Sequence, residues 1–211
     1  MSDFKEGIIL ILSSPSGAGK TTLTKKISLK NNFLISISHT TRKPRSNETN
    51  GLDYFFVSKE EFEKLISDNK FLEHAKSFDN YYGSSKDFVV ENLGKGKNVV
   101  FDIDWQGTEQ IKEKKLKYKI ITIFILPPSK DELLTRLKKR EIQDPQIADK
   151  RMKQFNEDVI HWTSYDFVVI NDDLEKCYNK IIKFINLYIK NNEIEKYDKH
   201  LISEHVNYLL K

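Results

Sequence analysis

Apolar and polar positions along this chain fall into two regimes. Four short runs, residues 8–12, 99–103, 120–126 and 167–170, are rich in β-branched side chains and almost free of polar interruption. Parallel strands covered by helices on both faces read this way, because neither set of alternating side chains meets water. Between the runs the pattern turns helical. One helix is predicted from Thr21 to about residue 29 and a last one over about 174–190. Ser129 and Glu132 have the spacing of a capping box that opens another. The sum predicts an α/β fold, a doubly wound parallel sheet with its ligand at the carboxyl ends of the strands.

Residues 38–86 break that rhythm. They are polar and aromatic, with a strand predicted at Tyr54-Phe55-Phe56-Val57 and further short strands at 71–74 and 81–82. Ser58 and Glu61 form a second capping box, leading into a helix that runs to about residue 69. This segment reads as a lobe inserted between the first and second core strands. A second polar stretch, 137–156, is rich in Arg, Lys and Gln and falls in a lid region drawn at 130–156. The core is then 1–37, 87–129 and 157–211, all within a single domain. There is no internal repeat, and the partly helical tail 191–211 is given no role.

Composition narrows the partners. Charged residues are 31%, hydrophobic ones 38%, and the net charge is +4, the balance of a soluble globular protein. Basic clusters at 112–115 and 136–140 suit phosphate-bearing ligands, but they fall short of the basic stripe of a nucleic-acid binder, so no nucleic acid is expected. Cys177 is the sole cysteine, which removes internal disulfides and Cys-based zinc sites and points to a reducing compartment. The first apolar run is too short for a signal-peptide core or a membrane span, so a cytoplasmic location without membrane contact is expected. Monomer and homodimer both stay open.

The chemistry begins at Ser14-Pro15-Ser16-Gly17-Ala18-Gly19-Lys20-Thr21, between the first strand and the first helix. Glycines let backbone N–H groups turn inward on a phosphate, Lys20 supplies a cation, and Thr21 offers a hydroxyl to Mg²⁺. Arg42 and Arg45, three apart around Pro44, can present two planar forks to one phosphate; alone they would equally suit a solvated turn. Asp102 and Asp104 end the second apolar run, where such folds hold a magnesium shell, and an extended chain would point both the same way. Arg136 and Arg140 share a helix face and, with Arg151, suit charge spreading over a transferring group. Asn171-Asp172-Asp173 fits either nucleobase contact or a helix cap. His39, His74 and His161 lack metal-ligand spacing and read as structural, and Trp105 and Trp162 as packing residues.

In order, these segments resemble the guanylate kinases, P-loop enzymes that phosphorylate GMP. The most specific are 38–48 with Gly51-Leu52-Asp53-Tyr54, then Tyr82-Gly83-Ser84 and Asp102-Ile103-Asp104-Trp105-Gln106-Gly107. The resemblance implies a core, a GMP-binding lobe and an arginine-bearing lid, with ATP and GMP or dGMP as substrates and Mg²⁺ accompanying ATP. It implies that Arg42, Arg45, Tyr54 and Tyr82 hold the GMP phosphate, while Ser38, Glu73, Ser84 and Asp104 surround the guanine. Glu48 joins the polar network on the GMP side. Thr21 and, through water, Asp102 serve the metal. Ser14, Pro15, Ser16, Gly17, Ala18, Gly19, Lys20, Thr21, Thr22 and Asn171 bind ATP, and Lys20, Arg136, Arg140 and Arg151 act on the migrating phosphoryl. Two departures stand out: Ser14 where the family has the first loop glycine, and Glu141 where it usually has glycine after the lid arginine.

Two rivals are weighed. A non-enzymatic binding module on the same fold tends to lose the loop lysine or the GMP arginines, and Lys20, Thr21, Arg42, Arg45 and Asp102 are all present. A kinase of another phosphorylated acceptor, such as AMP or a ribose bisphosphate, is opposed by Glu73 and Ser84. A carboxylate accepts from the guanine N1–H and N2–H₂ edge, whereas adenine presents an N6 donor beside an unprotonated N1.

Overall fold

The computed structural model describes residues 6–140, 145–190 and 197–211. The predicted lid-hinge departure at Glu141 lies outside them. The chain opens with β1 (Ile9–Ser13), α1 (Lys20–Asn31) and β2 (Phe33–Ser36). The lobe follows as β3 (Ser38–Thr40), β4 (Phe55–Phe56), α2 (Lys59–Ser67), β5 (Phe71–Ser77) and β6 (Asn80–Ser85). The core resumes with α3 (Lys86–Gly94), β7 (Asn98–Asp102), α4 (Trp105–Glu113) and β8 (Ile120–Leu126). Then come α5 (Lys130–Arg140), α6 (Pro145–Val159), a 3₁₀ turn at Ile160–Ser164, β9 (Phe167–Ile170), α7 (Leu174–Ile189) and α8 (Lys199–Leu210).

The four apolar runs form β1, β7, β8 and β9, all parallel, in a five-stranded sheet of order β2-β7-β1-β8-β9. Successive side chains go to opposite faces. Leu10, Leu12, Val100, Ile121, Ile123 and Ile125 enter one apolar cluster, and Ile9, Ile11, Val99 and Phe101 enter the other. That double coverage is why the runs show no polar alternation. The register sets Leu12 against Asp102, so the loop leaving β1 starts beside the end of β7. The pattern does not predict the edge strand β2, which among the described residues pairs with β7 alone.

The lobe is a separate four-stranded sheet of order β4-β3-β6-β5. Its helix α2 starts at a complete Ser58–Glu61 capping box and buries Phe62 against Phe71 and Tyr81, at ring distances of 4.6 and 5.4 Å. Within the polar stretch 137–156, residues 137–140 and 145–156 lie in the amphipathic helices α5 and α6, which place Leu133, Leu137, Ala148, Phe155 and Val159 in the core. The tail also has a structural role: α8, capped by Asp198, buries Ile202, Val206 and Leu209 on the same core face. Among the described residues no helix is long and apolar enough to cross a membrane.

Candidate active site

The phosphate loop is built by backbone conformation. Gly17 and Gly19 have φ of 90° and 101°, a region where a side chain is strained. A Cβ on Gly19 would also meet Asn171 Nδ2 at 2.3 Å. Ser14 is absent from the left-handed residues, so its departure from glycine costs the loop nothing in backbone strain. Its hydroxyl turns inward to the Pro15 carbonyl at 2.9 Å. Asn171 is buried and donates to the Ala18 carbonyl at 2.8 Å, so it braces the loop from behind, while Asp173 caps α7. Within 171–173 the chain thus supplies both a brace for the loop and a helix cap.

At the start of α1, Lys20 Nζ lies 2.8 Å from Asp102 Oδ1 and donates to the Ile103 carbonyl at 3.0 Å. The Thr21 hydroxyl donates to Asp102 Oδ2 at 2.6 Å, and Thr22 is exposed on the same first turn. Asp104 lies two residues past Asp102, beyond the end of the strand. β7 ends at Asp102, and Asp104 is the cap of α4, accepting from the Gly107 N–H at 3.0 Å.

In the lobe, both arginines meet one carboxylate. Arg42 and Arg45 each donate to Glu48 Oε1 at 2.8 Å, and the Arg45 N–H donates to Glu48 Oε2. These bonds hold Glu48 below the usual carboxylate range against the opposing effect of burial. The Arg42 guanidinium also lies 5.3 Å from the Tyr54 ring, which meets Tyr82 edge-on at 6.1 Å. Burial, and next the nearby Asp102 carboxylate, raise the Tyr54 phenol. The lobe tyrosine therefore sits within electrostatic reach of the core carboxylate.

Strand register lines up the base-facing candidates. Ser38 opposes Ser84 across β3 and β6, and Glu73 opposes Ser84 across β5 and β6, with a bulge just before Glu73. Ser84 Oγ donates to Glu73 Oε1 at 2.5 Å. Glu73 is 4% exposed, and burial pushes its carboxyl up to about 7 against the lowering effect of Ser84. Gly107 makes room for it: a Cβ there would stand 2.5 Å from Glu73 Oε2. Gln110 ties the lobe to the core, bonding both the N–H and the carbonyl of His74.

The lid arginines divide. Arg140 and Arg151 both donate to the Ser16 hydroxyl of the phosphate loop, Arg140 at 2.8 Å. Arg136 bonds Glu132 at 3.0 Å and the Asn171 carbonyl at 3.3 Å instead. Residue patterning missed three participants. On α6, burial and then the nearby Asp104 carboxylate push the Asp158 carboxyl up to about 7. Trp105 stacks on His161 at 3.7 Å, which gives both rings a place beside the site. Lys25 on α1 pairs with Asp53 of the lobe at 2.6 Å. Trp105 and Asp53 lie within local motifs, but their partners His161 and Lys25 are distant in sequence.

A family model described as guanylate kinase matches residues 7–188. A guanylate kinase from Wolbachia pipientis wMel is 44% identical over 86% of this chain and 90% of its own. One from Caldanaerobacter subterraneus subsp. tengcongensis is 46% identical over 86% of this chain and 87% of its own. The crystal structure of guanylate kinase from Anaplasma phagocytophilum superposes with a TM-score of 0.72 at 34% identity, covering 92% of this chain and 89% of that one.

Proposed function

The chain belongs to the guanylate kinase family, and from that premise we propose how its residues divide the transfer of the γ-phosphoryl of ATP to GMP. A phosphate oxygen of GMP attacks the γ-phosphorus in line and ADP leaves, with no covalent enzyme intermediate. Such a reaction asks the protein for positioning and charge neutralisation. Residues 14–22 cradle the ATP phosphates through the loop N–H groups. Lys20 neutralises the β- and γ-oxygens, and Asn171 contributes by bracing the loop. Arg140 and Arg151, which converge on Ser16, face the migrating group, with Arg136 supporting α5 from its bonds to Glu132 and Asn171.

Thr21 and Asp102 are hard oxygen donors in contact, the type Mg²⁺ takes. Among the described residues no cluster of three or more His, Cys, Asp or Glu side chains is placed to enclose an ion, which fits one that arrives with ATP. Thr21 would hold it directly and Asp102 through water. When bound, it neutralises charge on the phosphate oxygens.

On the acceptor side, Glu48 holds Arg42 and Arg45 as one clamp for the GMP phosphate, flanked by Tyr54 and Tyr82. Ser38, Ser84, Asp104 and Glu73 form the guanine pocket. The lobe is then 38–86, the lid 130–156 and the rest the core. The single buried cysteine suits a reducing cytoplasm.

One observation carries the base assignment: a buried carboxylate, Glu73, held by Ser84 at the lobe–core seam within electrostatic reach of Lys20. Its oxygens accept the N1–H and N2–H₂ of guanine, and adenine has no such pair. dGMP serves as well, since none of these residues is assigned to the ribose 2′-hydroxyl. The test is ADP release with GMP, dGMP, AMP, CMP and UMP. Efficient turnover is expected with GMP and dGMP only, and AMP turned over as well as GMP would overturn the base assignment.

A further inference from the structure

The hairpin joining β5 and β6 has only two loop residues, because Ser77 pairs with Asn80. Both loop residues are left-handed: Phe78 at φ 48° and Asp79 at φ 65°. That is the type I′ geometry preferred by Asn-Gly or Asp-Gly, and a bulky side chain in its first position runs against steric preference. The Asn80 side chain donates to the Phe78 carbonyl at 2.9 Å and fixes the turn. Phe78 is half-buried, and what it meets is the lid: the Arg151 guanidinium lies 5.2 Å from the centre of its ring. The same guanidinium reaches the Ser16 hydroxyl of the phosphate loop. One arginine thus touches the core loop and the lobe hairpin at once, 73 residues away in sequence from the ring that supports it.

We propose that Phe78 is a positioning residue for phosphoryl transfer: its ring, carried on the lobe, holds the Arg151 guanidinium over the phosphate loop and so makes lid placement depend on lobe placement. The ring face attracts the cation without adding a carboxylate that would compete with phosphate for it. A conformationally disfavoured residue at the hairpin tip is the kind of local cost that a functional contact sustains. Gln110 and the Lys25–Asp53 pair hold the lobe against the core, but neither reaches the lid. Phe78 supplies the third link.

The proposal rests on Arg151 acting on the migrating group, and the test separates the two. Phe78→Leu keeps apolar bulk and removes the ring face. Phe78→Trp keeps the ring. Phe78→Asn suits the turn better and removes the ring. With ATP and GMP saturating, kcat is expected to fall about 3- to 30-fold in the Leu and Asn variants, the range of a partly desolvated cation–π contact. The Trp variant stays within about threefold of the natural protein. KM for GMP stays within about threefold throughout, and Phe78→Asn unfolds at the same or a higher temperature. In an Arg151→Ala background, Phe78→Leu causes no further loss. Natural turnover in Phe78→Leu, an equal loss in Phe78→Trp, a loss confined to KM, or an undiminished loss in the Arg151→Ala background would each overturn the proposal. Arg151→Ala with natural turnover would instead sink the role of Arg151 itself.

Discussion

The two halves of the site are held by different means. On the core side, the phosphate loop is fixed by backbone: two left-handed glycines, a strand buried on both faces and a buried asparagine at its back. On the lobe side, the clamp is fixed by side-chain charge, with Arg42 and Arg45 sharing Glu48 and a buried Glu73 resting on Ser84. Backbone nests are indifferent to pH and salt, whereas ion pairs and buried carboxylates are not. On the proposed assignment, the donor half is a rigid cradle and the acceptor half a tunable one, so disturbing the first should remove rate and disturbing the second selectivity.

The largest effect should come from the core side chain that carries positive charge into the rigid half. Lys20→Ala is expected to lower kcat about 100- to 1000-fold, equivalent to about 3–4 kcal/mol of lost electrostatic stabilisation. Far-UV circular dichroism should be unchanged, since β1 and α1 are held by packing. Near-natural turnover would remove Lys20 from the mechanism. Next is Glu73→Gln, which replaces half of the acceptor edge with a donor. We expect kcat/KM for GMP to drop about 10- to 150-fold, or about 1.5–3 kcal/mol, with kcat for any residual turnover less affected.

Acidity sharpens the same contrast. Because burial raises Glu73 to about 7, the free protein loses the carboxylate form as pH falls through that value. Guanine binding needs the ionised acceptor, so KM for GMP should rise on the acid side and approach tenfold per pH unit well below it. The GMP phosphate titrates near pH 6 in both proteins, so the ratio of natural to Glu73→Gln profiles isolates the side chain. A ratio independent of pH between 5.5 and 8 would show that Glu73 does not titrate in the binding step.

The same division governs what the sequence alone discloses. The core strands and the phosphate loop are local signals: Ile9–Ser13 announces its burial in five residues, and Gly17, Gly19 and Lys20 announce the cradle. In the lobe, Arg42, Arg45, Glu73 and Ser84 gain a role from the family resemblance, but only register shows Ser38, Ser84 and Glu73 in one row. Polar Ser38–Thr40 carries no strand pattern because neighbours supply its pairing. Leu137 and Phe155 hide in Arg- and Lys-rich surroundings, since an amphipathic helix needs few apolar positions to reach a core. Asp158 and Phe78 are invisible for a related reason. Their neighbours, Asp104 and Arg151, meet them only through the fold.

Smaller effects should follow where the rigid half is weakened without touching its charge. Asn171→Ala leaves the buried Ala18 carbonyl without its donor and opens space behind Gly19. The expected loss is about 1–2 kcal/mol of stability in urea titration, with KM for ATP raised more than KM for GMP. The reverse order of KM changes would move Asn171 out of the donor half.

The smallest effect tests the seam between the halves. Lys25 of α1 and Asp53 of the lobe form an ion pair at 2.6 Å, and Lys25 holds Asp53 below the usual carboxylate range, yet the Lys25 side chain is 53% exposed. Exposed pairs contribute about 0.2–1 kcal/mol and are screened by salt. Lys25→Ala should therefore change kcat/KM for GMP by less than about fivefold at low ionic strength. In the natural protein, raising salt to about 0.5 M should remove part of that difference, while the variant responds less, because only screening of this pair distinguishes them. A loss above tenfold that persists in high salt would mean that Lys25 contacts a nucleotide directly, and the boundary between a backbone-held donor half and a charge-held acceptor half would have to be redrawn through α1.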